Sequence, residues 1–124
     1  MTEIPEATPQ SEVLTVNVTS LVGDTAELAL SGRFDVVEAL SVRELLASDQ
    51  LAEIRHLTFD LREVTFVDSA GLAVLARSRR DLLRQGGSVT LVRPSANDAM
   101  RVFRLTQFDQ IFTMIDRPEA DGAR

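Results

Sequence analysis

Hydrophobic and polar residues alternate in two short stretches near the start of the chain. The alternating apolar positions are Leu14, Val16 and Val18 in the first stretch and Ala26, Leu28 and Leu30 in the second. A period of two is typical of a half-buried strand. Gly23-Asp24 lies between the stretches and supplies turn residues. The pattern therefore predicts an antiparallel hairpin.

Beyond the hairpin, helical spacing and strand alternation follow one another. The remaining elements are predicted as a helix after Asp35, a strand over 56–61, a helix over 69–85 ending at Gly86, a strand over 88–92, a helix from Ser95 and a last strand or extended segment over 111–115. Asp35 is a suitable N-cap, and Ser95 with Asp98 resembles a capping box. The first helix carries the apolar residues Val36, Val37, Leu40, Val42, Leu45 and Leu46.

This order predicts an α/β fold with a mixed β-sheet, in which an N-terminal hairpin precedes alternating strands and helices. Right-handed crossovers between parallel strands would place the helices mainly on one face. A chain of 124 residues is long enough for one core. We expect a single domain over residues 12–116. The polar, proline-containing residues 1–11 and residues 117–124 are predicted to be flexible tails.

Composition narrows the class of function. The net charge of −6 argues against a nucleic-acid partner, because binding a phosphate backbone needs clustered basic residues. No apolar run approaches the roughly 20 residues that span a bilayer, so we expect a cytoplasmic protein without direct membrane insertion. The chain has no cysteine and one histidine, His56. We therefore expect neither a metal site nor a cofactor, and we interpret Asp60, Glu63 and Asp68 as solvated acids.

Ser69 is the residue with the widest range of possible chemical roles, because it follows an apolar strand and is the first residue of a helix. Its hydroxyl can cap the helix, act as a nucleophile or accept a phosphoryl group. Val67 occupies a position that is glycine in a nucleophile elbow, and His56 is predicted at the far end of the preceding strand. We therefore expect no catalytic residues and no enzyme activity. The local pattern alone favours Asp68 and Ser69 as helix caps.

Residues 58–72, TFDLREVTFVDSAGL, closely resemble the signature of STAS domains, in particular those of bacterial anti-sigma factor antagonists. The resemblance continues at Gly32-Arg33-Phe34-Asp35, at Gly86-Gly87 with the strand that follows, and over residues 100–112. It covers roughly residues 12–116 in the family's order.

The resemblance implies a phosphorylation switch. An anti-sigma factor with serine kinase activity would phosphorylate Ser69, the unphosphorylated form would bind that partner and release a sigma factor, and a serine phosphatase would reset the switch. Phosphate adds about −1.5 to −2 charge at pH 7. The residues predicted to contact the partner are Phe34, Asp35, Asp68, Ser69, Ala70, Gly71, Val74, Arg77 and Ser78. Among them Val74 is predicted on the exposed side of the helix, opposite its apolar face.

Two residues depart from the simplest pattern. Ala70 stands where many family members have a second serine or threonine, so that position cannot be phosphorylated. Arg79 falls within the predicted apolar face, where it would either extend along the edge of the core or pair with Asp35 or Glu38. Two further functions remain open at this point: an accessory STAS subunit of an ABC-type lipid transporter, and a scaffold component of stress-signalling assemblies.

Overall fold

Five strands and three α-helices alternate along residues 13–118, the part of the chain that this computed structural model describes. The elements are β1 (Thr15–Val22), β2 (Thr25–Phe34), α1 (Val36–Leu46), β3 (His56–Val67), α2 (Ser69–Arg84), β4 (Ser88–Val92), α3 (Asn97–Leu105) and β5 (Thr113–Ile115). Short 3₁₀ turns occupy Asp49–Leu51 and Phe108–Gln110. The predicted N-terminal tail and residues 119–124 lie outside the described residues.

The strands form one sheet in the order β1-β2-β3-β4-β5. β1 pairs antiparallel with β2, and every later pair is parallel. One helix connects each pair of neighbouring parallel strands, and every connection leads in the same direction across the sheet. Right-handed crossovers therefore place the three helices on one face of the sheet. The predicted mixed sheet, its hairpin and its order of elements are confirmed.

The core lies between that helical face and the sheet. Leu57, Phe59 and Leu61 on β3 contribute to it, and Phe103 on α3 is fully buried there. Because side chains alternate along a strand, the neighbouring residues of β3 point to the opposite, open face of the sheet. None of the helices within residues 13–118 is long and apolar enough to cross a bilayer.

Three local predictions, two of strand boundaries and one of a helix cap, are wrong. β3 continues to Val67, since the apolar residues before Asp68 extend the strand and its pairing with β2. The capping box at Ser95 does not form; Ala96 precedes α3 without a side-chain cap. The last strand begins at Thr113, because Gln107 adopts a left-handed backbone (φ 64°) and a 3₁₀ turn follows it.

The open face of the sheet carries a buried ion-pair cluster that the sequence did not predict. Asp60 is buried, and its carboxylate accepts hydrogen bonds from Nε and Nη2 of Arg62, the latter at 2.7 Å. Arg117 reaches the same cluster, with Nη1 2.9 Å from Glu27 Oε2 and 3.8 Å from Asp60 Oδ2. Arg62 also donates to the Pro118 carbonyl. Asp60 is therefore not a solvated acid, and the first two residues of the predicted C-terminal tail contact the sheet.

Asp60→Asn tests this cluster. Burial alone raises the pKa of Asp60, but the hydrogen bonds and charge of Arg62, with a smaller contribution from Arg117, outweigh burial and lower that pKa. A lowered folded-state pKa stabilises the protein above the unfolded value of about 3.9, and this stability is lost as pH falls through the folded value. We expect Asp60→Asn to cost about 1.5 kcal/mol at pH 7 and to flatten the loss of stability below about pH 4.

Urea denaturation at pH 7 and between pH 2 and 4 measures both effects. Asp116→Asn is the matched control, because Asp116 also pairs with an arginine, Arg93, but its side chain is 84% exposed. The control should change stability by less than about 0.5 kcal/mol. Equal losses in the two variants would contradict a structural role for the Asp60 cluster.

Candidate functional site

The start of α2 lies beside the start of α1, because β2 and β3 end next to each other. Phe34 and Val67, the last residues of the two strands, are paired in the sheet, and the Asp68 N–H donates to the Phe34 carbonyl at 3.2 Å. Asp35 and Asp68 each come next in the chain and serve as N-caps. Two helix N-termini, each with a positive end of its dipole, therefore share one edge of the sheet.

The Asp68 carboxylate links these two helix starts. Its Oδ1 accepts hydrogen bonds from the N–H groups of Ala70 (2.9 Å) and Gly71 (3.1 Å) in α2. Its Oδ2 accepts from the N–H of Val36 (3.1 Å), the first residue of α1. Asp35, by contrast, caps α1 alone through Oδ1. One carboxylate thus satisfies backbone donors that lie more than thirty residues apart in the chain.

Gly71 allows α2 to begin close to β2. A Cβ placed on Gly71 would lie 2.5 Å from the carbonyl oxygen of Phe34 and 3.1 Å from its Cγ. Real Cβ atoms essentially never approach another atom as closely as 2.5 Å, and this nearest atom belongs to the backbone. The position therefore requires glycine for close approach, and the buried Phe34 ring fixes where α2 starts.

Ser69 is the first residue of α2 and is exposed. Its hydroxyl forms no hydrogen bond with any residue between 13 and 118, since Asp68 caps the helix by itself. The interpretation of Ser69 as a cap is therefore wrong, while that of Asp68 is confirmed. The hydroxyl is presented to solvent at a helix N-terminus, where an anionic group is favoured.

The histidine lies at the opposite end of β3, as predicted. His56 is the first residue of that strand, and its Nδ1 is 2.9 Å from Ser88 Oγ. A 12-residue strand at roughly 3.3 Å per residue separates it from Ser69 by about 35 Å. Proton transfer between the two side chains is not possible over that distance.

Six of the predicted contact residues lie at or near the surface of this site. Ser69 and Arg77 are exposed, and Asp35, Asp68, Ala70 and Ser78 are half-buried. The Ser78 hydroxyl donates to the carbonyl of Val74 at 2.9 Å, within the helix.

Phe34, Gly71 and Val74 are buried, so the prediction that Val74 lies on the exposed side of α2 is wrong. Contact of these three residues with a partner stays a prediction. Phe34 belongs to the end of β2 rather than to a loop. Val74 is buried because α2 packs against α1 as well as against β3 and β4, which gives the helix a wider buried side than its apolar periodicity indicates. These three residues form the buried layer beneath the surface residues of the site.

The exposed apolar residues of α1 are the part of the site that sequence reasoning missed. Val36 is 67% exposed, Val37 73% and Leu40 55%. Only Ala39 and Val42 of this helix are fully buried. The sequence did contain a signal for this surface, because the apolar residues of α1 are distributed around the whole helix. A helix of that kind is normally buried by other parts of a protein.

Two arginines near the site have different environments. The Arg33 guanidinium lies 4.1 Å from the centre of the Phe66 ring, a cation–π contact, and 3.5 Å from Asp35. Arg79 is half-buried and forms no ion pair with the described acids, including Asp35 and Glu38. The predicted alternative in which Arg79 pairs with Asp35 or Glu38 is therefore wrong.

Within residues 13–118, no group of three or more histidine or acidic side chains is arranged to hold a metal ion. Asp60 is held by Arg62 on the open face of the sheet. Asp68 is bound to helix N–H groups at the end of β3. The site is thus an exposed hydroxyl between two helix starts, bordered by carboxylates and aliphatic side chains.

Residues 15–120 match the family model of the STAS domain. The match spans most of the chain, and the chain therefore belongs to the STAS domain family. An anti-sigma-B factor antagonist of Listeria monocytogenes is 28% identical over 99 residues, which are 80% of this chain and 83% of the relative. A relative of the same name from Listeria innocua is equally similar.

Solved structures show the same fold. An anti-sigma factor antagonist from Mycobacterium paratuberculosis superposes with a TM-score of 0.72 at 25% identity, covering 90% of this chain and 92% of the other. The anti-sigma factor antagonist SpoIIAA in its unphosphorylated form gives 0.72 at 18% identity, over 88% and 93% of the chains. The Bacillus cell fate determinant SpoIIAA in the phosphorylated form gives 0.67 at 18% identity, over 88% and 96%.

Proposed function

We propose that this protein is an anti-sigma factor antagonist that is switched by phosphorylation of Ser69. The unphosphorylated protein binds an anti-sigma factor with serine kinase activity and so releases a sigma factor in the cytoplasm. Phosphorylation ends that binding, and a serine phosphatase restores it. The observation that carries the proposal is the exposed Ser69 hydroxyl, which the fold does not use.

The similarity to other proteins supports this assignment. The relative from Listeria and the structure from Mycobacterium are both named as anti-sigma factor antagonists. A protein of the same fold, SpoIIAA, exists in unphosphorylated and phosphorylated forms. A regulatory binding protein that is modified by its partner accounts for both facts.

The chemistry of the switch divides between the two proteins. The Ser69 oxygen attacks the γ-phosphorus of ATP, the bond from that phosphorus to the β,γ-bridging oxygen breaks, and ADP leaves. The hydroxyl proton passes to a base on the kinase, since His56 lies at the other end of β3. This chain contributes the nucleophile and its presentation, and it is the substrate of the reaction rather than the enzyme.

The position of Ser69 explains how a phosphate can change binding without unfolding the protein. The N-terminus of α2 favours an anion, and the hydroxyl makes no contact within residues 13–118 that modification would break. The half-buried carboxylates of Asp35 and Asp68 already make this surface acidic. A phosphate adds about two negative charges to this surface. It therefore repels a partner surface that tolerates the two carboxylates but no further negative charge. A repulsion of 1.4 kcal/mol is enough to lower the affinity tenfold.

The direct test is to incubate the protein with ATP and a kinase-type anti-sigma factor from the same organism, then to locate phosphate by mass spectrometry. We expect one phosphate, on Ser69. Ser69→Ala should abolish it, and Ser78→Ala, on the same helix, should not. If no kinase-type partner phosphorylates Ser69, the switch is wrong. An accessory subunit of an ABC-type transporter would need no phosphate at this residue, so the same result separates the two functions.

A companion prediction concerns Ser69→Glu. We expect it to weaken binding to the anti-sigma factor by about tenfold or more, because the carboxylate places negative charge where the phosphate would lie. Its melting temperature should stay within about 3 °C of wild type, since the residue is exposed and caps nothing. Isothermal titration calorimetry and thermal denaturation measure the two quantities. Ser20→Glu, on the exposed edge strand β1, is the matched control and should leave affinity unchanged.

A further inference from the structure

A groove follows the boundary between α1 and α2, starting next to Ser69. It consists of three adjoining cavities of ≈ 240, 260 and 330 Å³. Arg43 and Arg77 line both the first and the second cavity, and Leu46, Ala47 and Asp81 line both the second and the third. Because neighbouring cavities share side chains, they form one surface depression along the two helices.

Six of the eight residues that line the first cavity of this groove are aliphatic. Its walls include Val36 and Leu40 on α1 and Ala70 and Ala73 on α2. Val36 and Leu40 are more than half exposed. Adjacent exposed apolar side chains of this kind mark an interaction surface more often than single exposed residues do.

Arg43 and Arg77 give the groove its charge. The two guanidinium groups belong to facing helices and border the same two cavities. Neither forms an ion pair or a side-chain hydrogen bond with another described residue. The one acid in the second cavity, Asp81, already pairs with Arg80 at 3.1 Å. A protein with a net charge of −6 therefore presents two arginines, neither in an ion pair with a described residue, beside the aliphatic residues of this groove.

We infer that this groove binds an aliphatic segment of the anti-sigma partner that carries a carboxylate between Arg43 and Arg77. The inference rests on the proposed function and adds the chemistry of the partner's contact. Arginine binds carboxylates through paired hydrogen bonds, and the aliphatic walls bury the flanking side chains of the segment. A second copy of this chain fits poorly, because a symmetric contact would bring the same arginines against each other.

The groove also connects partner binding to the state of Ser69. Ala70, next to Ser69, lines its first cavity. Arg77 lies eight residues along α2, at about 12 Å by the helical rise, which exceeds the Debye length of about 8 Å at physiological salt. A phosphate on Ser69 is therefore largely screened from Arg77 and from a carboxylate bound there, and it acts on the partner segment at the start of the groove, beside Ala70, through its bulk and charge.

Charge reversal in the groove tests the inference. Arg77→Glu should weaken binding to the kinase-type anti-sigma factor by at least tenfold, because it places like charge against the partner's carboxylate. Arg84→Glu is the matched control, since Arg84 is exposed on the same helix and lines none of the three cavities. It should bind within about twofold of wild type. Circular dichroism confirms that both variants fold.

The aliphatic part of the groove has its own pair of variants. Leu40→Ser should weaken binding about tenfold, whereas Leu83→Ser, at an exposed leucine on α2 outside the groove, should have little effect. Replacing the partner's groove-facing carboxylate with arginine should restore binding to Arg77→Glu. Photo-crosslinking from position 40 identifies that carboxylate, and restoration supports a direct charge pair.

The outcomes of these experiments distinguish the inference about the groove from the proposed phosphorylation switch. If wild type binds and is phosphorylated on Ser69 but Arg77→Glu binds equally well, the groove inference is wrong and the proposed function stands. Equal losses in Arg77→Glu and Arg84→Glu would indicate general electrostatics and also overturn it. If no kinase-type partner binds wild type, both proposals fail. A wild-type dimer in sedimentation that Leu40→Ser converts to a monomer would assign the groove to a second copy.

Discussion

Gly71→Ala is expected to destabilise the protein by about 2 kcal/mol and to weaken partner binding. The added methyl would lie 2.5 Å from the Phe34 carbonyl oxygen and 3.1 Å from the ring. Alanine gains up to about 1 kcal/mol over glycine from helix propensity. Relieving the overlap requires a backbone shift, however, and overpacking against backbone atoms costs about 3 kcal/mol. The start of α2 must move away from β2, and Ser69 and the Asp68 hydrogen bonds move with it.

Urea denaturation measures the loss of stability in this variant. Gly86→Ala is an informative control, because a Cβ at Gly86 meets no atom within 4 Å while its φ of 80° disfavours alanine. We expect the control to lose about 1 kcal/mol from backbone strain and to keep wild-type affinity for the anti-sigma factor. If Gly71→Ala is as stable as wild type, the close approach of α2 to β2 does not determine where Ser69 lies.

Asp68→Ala is expected to cost roughly 3 kcal/mol, more than an ordinary helix cap. A single cap contributes about 1 kcal/mol, but the Asp68 carboxylate accepts from three N–H groups in two helices. Its loss leaves the donors of Ala70, Gly71 and Val36 without their partner. Amide hydrogen exchange should therefore accelerate at Val36 in α1, thirty-two residues away in the chain.

Asp35→Ala is the control for this prediction. Asp35 caps only α1, through two longer hydrogen bonds of 3.2 and 3.4 Å, so we expect a loss of about 1 kcal/mol. Asp68→Asn should fall between them, because its amide presents one acceptor oxygen in place of two. Equal losses in Asp68→Ala and Asp35→Ala would mean that the link between the helices contributes nothing.

Local pattern was sufficient for the fold. Alternation at Leu14, Val16 and Val18, the turn at Gly23 and the stop at Gly86 placed the hairpin and the central helix correctly. Each signal lies within a few residues of the element that it specifies. The failed capping box at Ser95 shows the limit of that approach, because α3 begins after Ala96 without a side-chain cap.

The site was harder to predict, because its geometry depends on contacts between distant residues. The sequence indicated Asp68 as a cap, but its bond to Val36 depends on how β2 and β3 end. Val74 was misplaced because helical periodicity reveals one apolar face and not the second neighbour that α2 has in α1. The burial of Asp60 depends on Arg62 and on Arg117, which returns from the far end of the sheet.

Because the Ser69 hydroxyl makes no hydrogen bond within residues 13–118, the proposed switch can be tested by chemistry without a kinase. The 124 residues include no cysteine, so Ser69→Cys would introduce one thiol into the chain, exposed at the first turn of α2. That thiol can be converted to a phosphate analogue or joined to an environment-sensitive dye. Either modification would leave the Asp68 cap in place. Position 69 is therefore suited to fixing the protein in one state, or to reporting the encounter with its partner in real time.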